Sequence, residues 1–164
     1  MREVVKINII CYVKGKPRGK ERPRVGRGGH IYTPKNTKEY EYHIRNCFLD
    51  QVKDHTITDK PIYLYLDIRL KIPKSKTISE KNRLCKGIYA SKKPDIDNVE
   101  KVVLDALNKV AYEDDAQCVA VFKIKRWVLT DEEEGVIIKI GDIDTIEGMQ
   151  NDINEFYKNI TGGM

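Results

Sequence analysis

No stretch of this sequence holds the roughly 20 consecutive apolar residues that a helix needs to cross a bilayer, which excludes a membrane-spanning helix. The first thirteen residues, MREVVKINIICYV, come nearest to a targeting segment. Lys6 and Asn8 break their apolar run and no small-residue cleavage site follows, so they read as a strand and not as a signal peptide. Cysteine is sparse and unclustered: Cys11, Cys47, Cys85 and Cys118 form no CxxC pair, which removes the familiar zinc spacings. Without a secretory signal they are expected to be reduced, mostly buried thiols in a cytoplasmic protein, with a structural disulfide as the alternative. Histidine is scarce as well. His30, His43 and His55 lie far in sequence from the acidic clusters, and no Ser/His/Asp or Cys/His arrangement is visible. Internal repeats and linkers are absent, so the 164 residues are expected to form a single domain over 1–164.

What is present is a core's worth of apolar residues, 40% of the chain, and an uneven charge distribution. The net charge is only +5, yet residues 14 to 27, KGKPRGKERPRVGR, carry Lys14, Lys16, Arg18, Lys20, Arg22, Arg24 and Arg27 against Glu21 alone. Seven glycines and prolines between Gly15 and Gly29 keep this run out of a helix or a strand, so a basic loop over about 14–34 is expected to follow a polyanion. A merely solvated basic loop is the plain alternative. Nucleic acid is the leading partner.

Hydrophobic periodicity supplies the framework. Residues 4 to 13 predict a strand, and Thr37 is a reasonable N-cap for a helix to about residue 54 with Tyr40, Ile44, Phe48 and Val52 on one face. PIYLYLDIRLKIP, residues 61 to 73, alternates strictly and predicts a strand with one packed and one wet face. A short helix near Glu80 to Cys85 is expected within a polar connection. Residues 98 to 110 predict a second main helix, buried through Val99, Val103, Ala106, Leu107 and Val110, with Leu104 off the stripe and free to meet another chain. QCVAVFKIKRWVL and GVIIKI read as a hairpin-like strand pair across TDEEEG, and residues 145 to 160 as a closing helix. This order predicts an α/β (α+β) domain of two layers, a mixed β-sheet packed by helices.

The second unusual segment is residues 93 to 117, KPDIDNVEKVVLDALNKVAYEDDAQ, where aspartates open and close a helix. Each acid has a structural reading. Asp97 and Glu100 match a capping box, Asp97, Lys101 and Asp105 make i,i+4 pairs, and Asp114 with Asp115 suit a turn. Clustered carboxylates also need a cation, and hard oxygen donors favour Mg²⁺, with Mn²⁺ as a substitute. Such ions activate water and stabilise charge on a phosphate. An EF-hand from Asp95 fails, because Glu100 and Ala106 occupy the positions that require Gly and Glu. DIDNV fits the pattern of an aspartate-nucleophile phosphatase only formally, since SKKP and not an apolar strand precedes it.

The segment closely resembles the signature of the RusA family of Holliday-junction resolvases: D-x-D-N, a lysine four residues after the second aspartate, D-A-L, then D-D-x-Q. KPRGKERPR with YTPKNTKEY is similar to the N-terminal part of phage-type members. One departure is a segment between DAL and DD that is a residue shorter than in some members. The resemblance implies a homodimeric, Mg²⁺-dependent endodeoxyribonuclease that resolves four-way DNA junctions symmetrically, in a phage or prophage setting of recombination and repair. It implies a catalytic segment over about 93–117 in which Asp95, Asp97 and Asp115 hold metal and Lys101 assists, with Asp114 in a neighbouring position. The acids are then expected to meet in the folded dimer. The basic residues from Lys14 to Arg27 would bind DNA, Lys20, Arg22 and Arg24 first, with Tyr32 or Tyr112 as base-stacking candidates. A non-catalytic basic DNA-binding module with structural acids is the alternative.

Overall fold

The computed structural model describes residues 7–86 and 89–162. Residues 4 to 6 of the expected first strand therefore lie outside the described residues, as do two residues of the polar connection. The sheet has four strands, β1 (Asn8–Lys14), β4 (Ile62–Lys71), β5 (Cys118–Val128) and β6 (Gly135–Asp142), in the order β1-β6-β4-β5. β6 runs antiparallel to both β1 and β4, while β4 and β5 are parallel, so the sheet is mixed as expected. A separate ribbon pairs β2 (Arg24–Val25) with β3 (Ile31–Tyr32). The helices are α1 (Lys35–Gln51), α2 (Ile78–Cys85), α3 (Ile96–Leu107) and α4 (Ile146–Thr161).

The main core lies between the sheet and α1 with α3. Ile62, Leu64, Leu66 and Ile68 of β4 meet Tyr40, Ile44 and Phe48 of α1 and Val99, Val103 and Leu107 of α3, all buried. Full burial of each such aliphatic side chain is worth about 1.5–3 kcal/mol, which makes this slab the main source of stability. Leu104, off the buried stripe, packs half-buried against the same core. All four cysteines are free thiols; Cys11 is fully buried and the others are half-buried.

The other face of β4 is not wet. Tyr63 and Tyr65 are buried there beneath Met149, Ile153 and Phe156 of α4, and the Tyr65 and Phe156 rings meet edge to face at 5.3 Å. Alternation with tyrosine marks a face that a later amphipathic helix can cover. Gly141 on β6 belongs to this packing, since a Cβ there would fall 2.3 Å from the Tyr63 ring. α4 thus adds a partial cover behind the two principal layers.

β5 and β6 do not form the expected hairpin. β4 lies between them, and the connection after β5 crosses its end. Two interstrand spacings make about 10 Å, which TDEEEG can span. β4 wins the central place because both its faces are apolar or internally paired. The N-terminus of α1 also differs: Pro34 is the N-cap, and Thr37 sits buried in the first turn, where its Oγ1 accepts a hydrogen bond from the Glu21 amide at 3.1 Å. That bond ties the basic loop to α1.

Candidate functional site

α3 begins two residues earlier than a cap at Asp97 would give. Asp95 is the N-cap, with extended backbone and no side-chain cap bond, and Asp97 lies in the first turn. Both carboxylates are exposed at the positive end of the helix dipole, which favours negative charge there. Lys101 Nζ donates to Asp97 Oδ2 at 3.3 Å, and this bond holds the Asp97 carboxyl below its ordinary pKa. Glu100 makes no capping box. It forms an ion pair with Lys123 on β5. The expected Lys101–Asp105 pair is also absent, because Asp105 is taken by Lys20 of the basic loop.

That ion pair is part of a dock. The Lys20 amide donates to the Asn98 carbonyl at 2.8 Å, and Gly19 passes so close to α3 that a Cβ would lie 2.8 Å from Asn98 Cβ. Lys20, half-buried and paired, therefore fixes the loop instead of presenting a free charge. The result is a cleft of about 340 Å³ in which Lys16, Lys20 and Lys93 face Asp95 and Asn98. Asn98 is marked only as the last position of D-x-D-N, and nothing in the sequence pattern marks Lys93 beyond its adjacency to the aspartates. The contact depends on a loop more than seventy residues away.

Lys14, Lys16, Arg18, Arg22, Arg24 and Arg27 are all exposed. Part of the loop is regular after all, since β2 and β3 form a small ribbon whose tip holds Gly28 and Gly29 at φ 90° and 80°. Only glycine adopts such angles without strain. Val25 and Ile31 stand exposed on this ribbon, and Tyr32 is partly exposed beside His30, with ring centroids 5.9 Å apart. Tyr112 cannot stack on a base: it is fully buried and donates to the Leu104 carbonyl at 2.9 Å.

The second acid pair divides by role. Asp114 caps a short 3-10 turn (Asp115–Gln117): its Oδ1 accepts from the Ala116 amide at 2.9 Å, and Gln117 Oε1 accepts from the Asp114 amide at 2.7 Å. Gln117 Nε2 donates to the carbonyls of Thr58 and Lys60, anchoring the turn. Asp115 is exposed, and its carboxylate has no hydrogen-bond or ion-pair partner among the described residues. β5 does not begin at the start of α3 but passes it, with Lys125 Nζ donating to the Pro94 carbonyl at 2.8 Å.

The geometry brings Asp95, Asp97 and Lys101 onto the first turns of one helix and sets the basic loop against that helix end. Among the described residues, no three carboxylate, histidine or cysteine groups stand close enough to hold a metal ion by themselves. Mg²⁺ is usually held by one or two carboxylates together with water and substrate phosphates. Asp95, Asp97 and Asp115 are each exposed oxygen donors of the type such a site uses, but they do not stand together as a group of three among the described residues.

A scan against family models matches residues 14–141 to "Endodeoxyribonuclease RusA". The matched span starts at the first basic residue of the loop and leaves α4 outside. Among curated proteins, the uncharacterized protein YqaN of Bacillus subtilis (strain 168) is 31% identical over 133 residues, covering 77% of this chain and 92% of that one. Loop, helix and turn all fall inside the matched span, and the chain belongs to the RusA family of endodeoxyribonucleases.

Proposed function

We propose that the protein is a Mg²⁺-dependent endonuclease that resolves four-way DNA junctions by symmetrical hydrolysis, in recombination and repair. Family membership supports the nuclease class. The single observation that carries the finer reading is the dock of the basic loop on α3, which gives one cleft both phosphate-binding cations and the exposed carboxylate of Asp95. A basic groove alone would bind a polyanion. A groove with an uncommitted acid in its lining is suited to holding a cation against a phosphate.

In this reading Asp95, Asp97 and Asp115 hold Mg²⁺, which when bound activates water and offsets charge on the phosphate. Lys16 and Lys93 position the DNA backbone across the cleft. Lys101 keeps Asp97 oriented, and its side chain, 59% exposed, can offer the ammonium to a phosphate oxygen as negative charge develops there. Arg22, Arg24 and Arg27 extend the grip along the ribbon, and Tyr32 offers a face to an unstacked base. Cutting two strands symmetrically needs two equivalent sites, which a two-fold homodimer supplies. The acids that one chain leaves apart would be completed as a donor set in that dimer. A DNA-acting enzyme of this kind works in the cytoplasm.

The reading of a non-catalytic DNA-binding module draws on the lack of a preformed ligand cluster among the described residues. Incubating the protein with a synthetic four-way junction, with and without Mg²⁺, separates the two. Paired nicks in opposing strands that require Mg²⁺ are expected; binding without cutting under every divalent ion would leave only the module.

A further inference from the structure

The base of the basic loop holds a second cleft, and no carboxylate of the catalytic segment reaches it. A cavity of about 290 Å³ is lined by Lys14, Lys16, Arg18, Glu39, Tyr40 and His43. Glu39 pairs with Lys35 at 3.5 Å, so its charge is partly answered outside the cavity. Tyr40 is only 5% exposed, yet its hydroxyl has no hydrogen-bond partner, although the Arg18 amide lies near it. A buried hydroxyl without a partner forfeits roughly 1–3 kcal/mol, a cost that a ligand atom would remove. Burial pushes the Tyr40 pKa up to about 12, so the group remains a neutral donor.

The cavity is also held in shape. His43 Nε2 meets the Lys14 carbonyl at 2.8 Å, and the Gly15 amide donates to the Glu134 carbonyl at 2.9 Å. Since a carbonyl only accepts, His43 Nε2 carries the proton and orients the loop backbone. Three exposed cations and one unpartnered hydroxyl thus line a single cavity. We infer that this cavity is a phosphate-binding subsite for a DNA backbone phosphate that is not cut, held by Lys14, Lys16, Arg18 and the Tyr40 hydroxyl. Lys16 lines both this cavity and the cleft of Asp95. It links the holding subsite to the proposed cutting site, so a strand anchored here is led toward Asp95. The DNA role rests on the nuclease reading above, but the phosphate chemistry does not.

The test uses the full chain and inorganic phosphate as probe, followed by ¹H–¹⁵N chemical shifts, and then junction binding in EDTA. Saturable shifts confined to the Lys14–Arg18 amides and the His43 ring are expected. Arg18→Gln should weaken phosphate binding roughly tenfold and Tyr40→Phe roughly threefold. Both should weaken junction binding in EDTA in the same order. Shifts spread evenly over Arg22 to Arg27, or variants that bind phosphate as the wild type does, would overturn the subsite. If the junction is never cut but the cavity still takes phosphate, the nuclease reading falls and the subsite stands. Normal cutting with no phosphate response does the reverse.

Discussion

Asp67, in the middle of β4, is fully buried and accepts three hydrogen bonds, one from Arg69 and two from Arg126, at 2.8 to 2.9 Å. Asp95, at the start of α3, is exposed, and its side chain takes no cap bond. Both are carboxylates in a basic chain, but only one has its charge answered by the fold. A buried acid without arginine would be too unfavourable to keep. An exposed acid at a helix N-terminus destabilises almost nothing when left open. Asp114 and Asp115 repeat the contrast over a single peptide bond, the first engaged in a cap and the second unengaged. Asp67 and Asp114 are acids that the fold has already used; Asp95, which lines the basic cleft, and Asp115, on its turn, are left unanswered, and the proposed chemistry draws on them.

Substitutions separate the two kinds of acid. Asp67→Ala would leave two arginine charges uncompensated within the sheet, and a loss of about 3–5 kcal/mol is expected in chemical denaturation, with cutting per folded molecule retained. Asp95→Asn should do the opposite. Its stability should stay within about 0.5 kcal/mol of wild type, while junction cutting in Mg²⁺ falls roughly 10²- to 10³-fold in single-turnover assays. An Asp95→Asn protein that unfolds early and cuts normally would erase the distinction.

Gly19→Val probes the placement of the open acid beside the groove. The added side chain cannot fit against Asn98, so the basic loop should lift from α3. Cutting is expected to drop roughly tenfold or more, because small displacements of positioned groups are costly, with binding in EDTA reduced less. The smallest effect belongs to the ribbon. Replacing Arg22 and Arg24 with glutamine should lower the slope of log K against log salt by about 1 for each phosphate that is no longer neutralised. A slope unchanged in the double variant would remove the ribbon from the DNA surface.

Elements whose signal is local were legible in the sequence. Tyr40, Ile44 and Phe48 of α1 and Val99, Val103, Ala106 and Leu107 of α3 are buried as read. However, α1 stops at Gln51 and α3 at Leu107, which leaves Val52 and Val110 half-buried beyond them, and β4 is the strand expected but without a wet face. Features decided by distant partners were not. Whether Tyr63 and Tyr65 face water depends on α4, and whether β5 meets β6 depends on which strand takes the centre of the sheet. Asp105 had a plausible neighbour in Lys101, but the dock of the loop gives it to Lys20 instead. The candidate site was legible as residue types and spacing, because D-x-D-N and D-D-x-Q lie in one short segment. Its cleft was not, since Lys16 and Asp95 come together only through the Gly19 to Asn98 contact.

Whether the unengaged carboxylates do the cutting can be decided on two adjacent residues. Asp115→Asn and Asp114→Ala should be compared with wild type for Mg²⁺-dependent cleavage of a synthetic four-way junction, with binding measured in Ca²⁺. Asp115→Asn is expected to bind normally and not to cut. Asp114→Ala should lose about 1 kcal/mol of stability with its cap and keep most of its cutting when folded. Equal cutting by Asp115→Asn and wild type would contradict the assignment of chemistry to the open acids.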